Sequence, residues 1–229
     1  MTRLFRLIVP AALVLAVLSA SAHAGFYPLM ADDGAPVENH RVPAQYESQI
    51  DKLPGVVVAG NPRGKVTLAE FYDVNCPFCR KASGDIDKLL RKHPDLRLVL
   101  VPFPVLGVAS VQGTRVELAV ARLASPETFY AFHRKLDSSR GMVDGNRALA
   151  AAEAIGLDRA KVLKIANEDA LAEVMTAHLR LGDRLLIAAT PGFVIGGIAI
   201  LGYPGPKAMA KVIESVKRCG APMCGVKTR

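Results

Sequence analysis

The ten residues EFYDVNCPFC at positions 70–79 place two cysteines where a strand pattern gives way to a helix pattern. Residues 66–72 are apolar on both alternating faces except at Glu70, which predicts a strand buried inside a sheet that is covered on two sides. Pro77, between the cysteines, suits the first turn of a helix. Apolar residues then recur at helical spacing: Ile86, Leu89 and Leu90. A buried strand followed by a helix is therefore predicted around the cysteine pair.

The rest of the chain continues this alternation only in part. A second buried strand is predicted at residues 96–102, so that strand, helix and strand form a parallel pair with a right-handed crossover. Residues 110–187 show helical patterns and no strand pattern. Strand patterns return at 192–195 and 198–201, separated by two glycines typical of a hairpin turn, and a last helix is predicted at 206–217. This order predicts an α/β protein: a thioredoxin fold with an inserted all-helical domain.

The first 24 residues have the pattern of a secretory signal peptide. Arg3 and Arg6 precede an apolar run at residues 7–18, and the sequence AHA at residues 22–24 suits cleavage at that point. The apolar run, about twelve residues, is shorter than the roughly 20 that a membrane-spanning helix needs. An uncleaved anchor is the alternative. Export to an oxidising compartment, a bacterial periplasm, is therefore expected.

The composition and charge indicate a globular protein without a nucleic-acid site. Of the 229 residues, 51% are hydrophobic and 22% are charged. The 29 basic and 21 acidic residues give a net charge of +8, and removal of the two signal-peptide arginines would leave 27 − 21 = +6. The remaining Lys and Arg are scattered among acidic residues, whereas nucleic-acid recognition needs a basic cluster with interleaved aromatic residues.

The mature chain is predicted to divide into a lead-in, two interleaved domains and a tail. Residues 25–42 lack periodicity and are expected to be irregular and mobile, whereas residues 44–53 have helical spacing and residues 55–58 a short strand pattern. The predicted boundaries are 1–24 for the signal peptide, 25–53 for the lead-in and helix, 54–107 plus 188–218 for the thioredoxin-fold domain, 108–187 for the inserted helical domain and 219–229 for the C-terminal tail.

The four cysteines form two close pairs, Cys76/Cys79 and Cys219/Cys224, and export permits their oxidation. Disulfide exchange requires a thiolate, and Cys76 lies at a helix start, where free N–H groups and the helix dipole favour negative charge. Cys76 is therefore the predicted nucleophile, and Cys79, one turn into the helix, is the resolving thiol. A structural bridge, or half of a zinc site shared with the second pair, is the alternative. Arg80 follows Cys79 where covalent haem attachment would need a histidine.

The second cysteine pair ends the last predicted helix. The loop GAPM at residues 220–223 can turn sharply enough to join the sulfurs of Cys219 and Cys224, so we expect a separate disulfide with a structural role at the chain end. An exposed bridge near a chain end can be labile, and a redox-regulatory role is therefore the competing interpretation.

Three segments together resemble the DsbA-like thiol-disulfide oxidoreductases of bacterial envelopes: residues 70–79, FPVLG at 103–107 and ATPGFVIGG at 189–197. The resemblance implies that Pro191 is cis and lies against the cysteines. It also implies that Thr190 presents its backbone to an extended substrate peptide, which pairs with it like an added strand. A trans proline that merely opens a strand is the alternative.

Other residues take expected roles from the same resemblance. Pro77 and Phe78 are implied to belong to the substrate-binding surface, and Glu70 matches the family's buried acid beneath the active site. Burial raises the pKa of a carboxyl group, so Glu70 is placed to accept or relay the proton of Cys79. The alternative is a Glu70 paired with a lysine such as Lys65.

The resemblance implies a periplasmic dithiol oxidase that donates the Cys76–Cys79 disulfide to reduced exported proteins and is reoxidised by a quinone-linked membrane partner, with no cofactor, metal or nucleic acid. The second expectation is an isomerase or reductase of the ScsC type, kept reduced by a membrane electron donor. Two features favour it: a threonine precedes the proline, as in those relatives, at Thr190, and no histidine lies between the cysteines. Residues 25–53 look too short for an oligomerisation arm, which favours a monomeric oxidase. A non-catalytic copper or peptide binder is the third expectation.

His178, on the apolar side of a predicted helix, is interpreted as a packed residue.

Overall fold

The computed structural model describes residues 26–226, so the predicted signal peptide at residues 1–24 lies outside the described residues. The strands are β1 (Asn39–Arg41), β2 (Val57–Gly60), β3 (Val66–Tyr72), β4 (Leu96–Pro102), β5 (Gly192–Ile195) and β6 (Ile198–Leu201). The helices are α1 (Ala44–Glu47), α2 (Pro77–Lys92), α3 (Val108–Leu123), α4 (Pro126–Asp137), α5 (Gly145–Glu153), α6 (Arg159–Ala166), α7 (Ala170–Arg184) and α8 (Pro206–Cys219). Within residues 26–226, no helix is both long and apolar enough to cross a bilayer.

The strands form one mixed sheet in the order β1-β6-β5-β3-β4-β2. β3 and β4 run parallel, from the pair Val66 and Leu96 to the pair Tyr72 and Pro102, and α2 makes the crossover between them. β5 is antiparallel to both β3 and β6, and Gly196 and Gly197 turn the hairpin. α3 to α7 lie in sequence between β4 and β5. The predicted α/β thioredoxin fold with a helical insertion is confirmed.

β3 is the central strand that leads to the cysteines, and both of its faces are buried. Leu68 and Tyr72 pack into a core shared with α2, α8 and the helical insertion. Ala69 and Phe71 point to the opposite face of the sheet and pack with residues of α7 and β4. The chain leaves β3 at Tyr72, so the loop before α2 lies at the end of the central strand.

The helical insertion packs closely against that loop. A Cβ atom on Gly113 of α3 would lie 3.1 Å from Cγ2 of Val74, so the glycine allows α3 to approach the chain just before Cys76. On α7, His178 is fully buried, with Nδ1 2.8 Å from the carbonyl oxygen of Pro102 and Nε2 2.7 Å from that of Pro54. The interpretation of His178 as a packed residue agrees with these contacts.

The prediction of an irregular lead-in at residues 25–42 is wrong for its last part. Residues Asn39–Arg41 form β1, which adds an antiparallel edge strand to β6. The Asn39 side chain also accepts a hydrogen bond from the Tyr27 N–H at 2.8 Å and donates one to the Tyr27 carbonyl at 2.9 Å. A three-residue strand leaves no periodicity in the sequence, and its partner is about 160 residues away.

Three boundaries also differ from prediction. The helix expected at residues 44–53 is divided into α1 and a 3₁₀ turn at Ile50–Lys52. The strand expected at 55–58 begins at Val57, because Gly55 adopts φ +76°, in the left-handed region, and turns the chain there. The last helix, expected to end at residue 217, continues to Cys219.

Candidate active site

Cys76 caps the N-terminus of α2, and its sulfur meets groups from two parts of the chain. The Cys79 N–H donates a hydrogen bond to Cys76 Sγ at 3.4 Å. The carbonyl oxygen of Thr190 lies 3.1 Å from the same sulfur and accepts a hydrogen bond from the thiol. Both cysteines of the pair are free thiols in this structure. The predicted helix start therefore places Cys76 against the Thr190 segment.

The surroundings of Cys76 favour its thiolate. The pKa of Cys76 is lowered from 9.0 to about 6, chiefly by a hydrogen bond from the Cys79 side chain. Partial burial opposes this change, while a hydrogen bond from the Thr190 side chain and the N–H groups of Cys79 and Phe78 favour the anion. The helix N-terminus thus acts through identifiable N–H donors.

Cys79 has the opposite character. Burial raises the pKa of the Cys79 thiol well above its usual range, and its hydrogen bond to Cys76 and the nearby Glu70 raise it further. Only 2% of Cys79 is exposed, because it faces the core from the first turn of α2. At neutral pH one sulfur of the pair is an anion and the other is a buried thiol.

The Thr190–Pro191 segment lies beside Cys76 because of the strand order. β5 begins at Gly192, which pairs with Phe71 near the carboxyl end of β3, so the residues just before β5 reach the loop after β3. The Thr190–Pro191 peptide bond is cis. The Pro191 carbonyl accepts a hydrogen bond from the Gly202 N–H at 2.9 Å, which holds the segment against the hairpin.

Glu70 is buried in β3 on the face that carries Tyr72. Burial raises the pKa of Glu70 from 4.5 to about 8; the positive charge of His133 lowers it, and the charges of Asp137 and Cys76 raise it. None of the ion pairs in the described part of the chain joins Glu70 to Lys65, and Glu70 is buried whereas Lys65 is exposed. The alternative prediction of a Glu70–Lys65 pair is therefore wrong.

A hydrogen-bond network around Asp73, which was not predicted from the sequence, positions the loops beside the cysteines. The fully buried Asp73 carboxylate accepts hydrogen bonds from the Ser110 hydroxyl at 2.7 Å and from the Val105 and Leu106 N–H groups at 2.8 and 2.9 Å. This network fixes the start of α3 against the cysteine loop. Its only signal in the sequence is an acidic residue directly after an apolar strand.

Asn75 and Arg80 join the cysteine loop to the loop between α4 and α5. The Asn75 side chain donates to the Val143 carbonyl and accepts from the Val143 N–H, at 2.9 and 2.7 Å. The Arg80 guanidinium donates to the carbonyls of Val74, Ser139 and Gly141. These bonds cross from the thioredoxin fold to the helical insertion and hold the two together at the site.

A second missed feature is a buried polar cluster behind Glu70. His133 of α4 has Nδ1 3.2 Å from Glu117 Oε1 and Nε2 3.2 Å from Asp137 Oδ2, and the Tyr72 hydroxyl donates to Glu117 Oε1 at 3.3 Å. Burial lowers the pKa of His133, but Asp137 and Glu117 more than offset this and raise it to about 9. His133 is therefore an imidazolium in the core.

Several apolar side chains around the cysteines face solvent. Phe78 is 62% exposed and Pro77 is also exposed. Val105 and Leu106 are 47% and 53% exposed in the loop held by Asp73. Met142, 68% exposed, follows Gly141, whose carbonyl accepts from Arg80. We call these four residues the apolar rim: Phe78 in the first turn of α2, and Val105, Leu106 and Met142 on the loops that hydrogen bonds with Asp73 and Arg80 hold near the cysteine pair.

The second cysteine pair is elsewhere in the molecule. Cys219 and Cys224 form a disulfide at the C-terminal end of α8. Glu214 of α8 lies 3.8 Å from Lys92, the last residue of α2. Cys76 lies at the other end of α2, directly before its first residue. A 16-residue helix is roughly 24 Å long. The alternative of one zinc site built from all four cysteines is therefore wrong.

A family model described as thioredoxin matches residues 52–215. This chain belongs to the thioredoxin family. Among solved structures, it is similar to a thioredoxin-like oxidoreductase from Silicibacter pomeroyi DSS-3, with 27% identity and a TM-score of 0.70 over 75% of this chain and 98% of that one. Its fold is also that of the thiol-disulfide exchange protein α-DsbA2 from Wolbachia pipientis, with 24% identity and a TM-score of 0.69 over 76% of this chain and 92% of that one.

A further structure of the same fold is the catalytic domain of Proteus mirabilis ScsC, with 24% identity and a TM-score of 0.66 over 75% of this chain and 96% of that one. The predicted resemblance to DsbA-like and ScsC-type proteins is confirmed for the fold. Among curated proteins, the Na(+)/H(+) antiporter NhaA 1 of Mycobacterium sp. (strain KMS) is 29% identical over 174 residues. The match covers 70% of this chain and 26% of the antiporter, so the chain spans about a quarter of the length of that relative.

Proposed function

We propose that this chain is a periplasmic thiol-disulfide oxidoreductase that acts as a dithiol oxidase on reduced exported proteins. The observation that carries the proposal is the opposite proton affinity of two thiols three residues apart, with the pKa of Cys76 about 6 and that of Cys79 raised. A stabilised Cys76 thiolate favours the dithiol form, so the Cys76–Cys79 disulfide is a ready electron acceptor.

The steps follow from this asymmetry. A substrate thiolate attacks Cys76 Sγ, the Cys76–Cys79 bond breaks, and its electron pair leaves on Cys79. Cys79 takes a proton because its pKa is raised, and Glu70, itself protonated at neutral pH, is the nearby group that supplies it. A second substrate thiolate then attacks the substrate sulfur of the mixed disulfide, which releases Cys76 as a thiolate and completes the substrate disulfide.

Substrate recognition is assigned to the Thr190–Pro191 segment and the apolar rim. Thr190 precedes β5, and its backbone lies next to the reacting sulfur, in a position to pair with an extended peptide. Phe78 and the other rim residues would cover apolar side chains of an unfolded substrate. We expect a monomer that is exported by the signal peptide at residues 1–24 and reoxidised by a quinone-linked membrane partner.

The reduction potential tests the direction of electron flow. The mature protein is equilibrated in glutathione buffers and the fraction of dithiol is measured by alkylation, with Cys76→Ser as the blank. A potential near the roughly −120 mV of strong oxidases supports this proposal, whereas one near about −180 mV or below supports an isomerase or reductase.

An isomerase or reductase of the ScsC type, kept reduced by a membrane electron donor, is the second candidate. It is favoured by Thr190 before the cis proline and by Pro77-Phe78, which places no histidine between the cysteines. Reactivation of a protein with scrambled disulfides by the dithiol form would select it. Stoichiometric copper uptake without reduction of insulin would instead select a non-catalytic binder.

A further inference from the structure

The Cys219–Cys224 bridge is an accessible disulfide with two unlike sulfurs. Cys219 is the last residue of α8 and is exposed, whereas Cys224 is partly buried. Gly220 follows Cys219 in the left-handed conformation, with φ +72°, so the chain leaves the helix and returns to it within five residues. Cys219 is therefore the more exposed cysteine of the bridge.

The groups around the two sulfurs favour negative charge on Cys224. The Arg218 guanidinium donates through Nε to Cys224 Sγ at 3.4 Å, and the Ser215 hydroxyl lies 3.3 Å from the same atom. Ser215 also accepts from the Cys224 N–H at 3.1 Å, which fixes the hydroxyl beside that sulfur. On reduction, a Cys224 thiolate would form with a cation and a hydroxyl already in contact.

The Cys219 sulfur has fewer neighbours that would stabilise a thiolate. It lies 3.3 Å from the Ser215 carbonyl oxygen and 3.6 Å from that of Ala221, whereas the Ser215 carbonyl oxygen is 3.6 Å from Cys224 Sγ. The Ser215 hydroxyl is 4.0 Å from Cys219 Sγ but 3.3 Å from Cys224 Sγ, and the Arg218 guanidinium contacts Cys224 Sγ. Cys224 is therefore the better leaving group of the pair, and attack on Cys219 is the productive direction.

The cationic side chains near the bridge favour an anionic thiol as its reductant. Arg218, the residue before Cys219, is exposed, and together with Lys211 it lines a groove of about 400 Å³ that passes Cys224; among the described residues of that groove, Glu214 is the acidic one. Glu214 is itself paired with Lys92. An anionic thiol is favoured at this surface over a cationic one.

We propose that Cys219–Cys224 is a second thiol-disulfide exchange site, at which an anionic thiol such as glutathione attacks the exposed Cys219 and Cys224 leaves as a thiolate held by Arg218 and Ser215. The site works independently of Cys76, because the two pairs lie at opposite ends of α2 and cannot meet.

The exchange balances with the thiol as the only reductant. A thiolate RS⁻ attacks Cys219 Sγ, the Cys219–Cys224 bond breaks, and its electron pair stays on Cys224. A second RS⁻ attacks the R sulfur of the mixed disulfide, which forms RSSR and expels Cys219 as a thiolate that takes a proton from water. Two thiols lose two electrons and the cysteine pair gains them.

The test uses the full chain with Cys76→Ser and Cys79→Ser, so that failure here leaves the proposed function untouched. The rate of bridge reduction by glutathione is measured by alkylation and mass spectrometry. Arg218→Gln should slow reduction at least about threefold, by weakening the leaving thiolate. Lys217→Gln is the matched control, because Lys217 is a neighbouring exposed cation that pairs with Asp95 and not with either sulfur. It should change the rate less than about twofold.

Two further measurements separate this site from an inert bridge. With one cysteine of the pair replaced by serine, the remaining Cys224 should be alkylated at mildly acidic pH several times faster than the remaining Cys219, because Arg218 and Ser215 contact the Cys224 sulfur. Glutathione should reduce the Cys219–Cys224 bridge faster than the cationic thiol cysteamine does at equal thiolate concentration. A bridge that glutathione reduces only after unfolding, equal alkylation rates, or equal effects of Arg218→Gln and Lys217→Gln would each overturn the proposal.

Discussion

Replacement of Glu70 by glutamine should stabilise the dithiol form of the protein at neutral pH. The pKa of Glu70 is about 8 in the folded protein and 4.5 as its reference value, so the folded state holds a proton that the unfolded state releases between these values. Stability therefore falls as pH rises through this window. With about 1.36 kcal/mol for each pKa unit, the raised pKa of Glu70 lowers the free energy of unfolding by about 3 kcal/mol at pH 7. At pH 4 this decrease is close to zero. Glutamine, which does not titrate, removes this decrease.

The assay is urea unfolding of wild type and Glu70→Gln between pH 4 and pH 8 with the cysteines kept reduced. We expect the difference in unfolding free energy to grow with pH by up to about 3 kcal/mol at pH 7. Glu173→Gln, which removes an exposed carboxylate on α7, is the control and should leave the pH dependence unchanged. A Glu70→Gln difference that stays constant with pH would refute the reasoning, because it would show that Glu70 does not titrate in this range.

The remaining predictions concern the two cysteine pairs. Iodoacetamide should label Cys76 with a midpoint near pH 6 and leave Cys79 unlabelled, whereas equal rates would contradict the assigned roles. Cys79→Ser should accumulate mixed disulfides with substrate proteins on non-reducing gels, and their absence would argue against Cys79 as the resolving thiol. Pro191→Ala should slow turnover of protein substrates but not the reaction of Cys76 with a small reagent; a parallel loss of both would assign the proline to site integrity. The double variant Cys219→Ser, Cys224→Ser should lose about 2 kcal/mol or less of stability. Its Cys76–Cys79 potential should stay unchanged, and a shift of about 30 mV would show that the pairs are coupled.

The parts of the fold that the sequence predicted are those whose signal is local. β3 and α2 follow from an uninterrupted apolar run and from helical spacing after Pro77, and the hairpin follows from two adjacent glycines. β1 was missed because three residues carry no period, and their pairing with β6 is a tertiary contact. The same limit explains the Asp73 network, in which one carboxylate meets residues about 30 to 40 positions away. Such partners follow from the packing of α3 against the sheet and not from any pattern near Asp73.

The buried cluster on α3 and α4 gives the helical insertion a part in the chemistry of the site. Burial raises the pKa of Glu117 in this core, and the hydrogen bond and the charge of His133 oppose that rise; the other ring nitrogen of His133 lies 3.2 Å from Asp137. The same imidazolium lowers the pKa of Glu70, against the effect of burial, while Asp137 raises it. The proton affinity of the group behind Cys79 is thus set by a balance between β3, which buries Glu70, and α4, which brings both a cation and an anion towards it. In sequence, His133 occupies only one more position on the apolar face of an amphipathic helix; its effect on the site depends on the packing of α4 against β3, where the His133 ring centroid lies 4.5 Å from that of Tyr72.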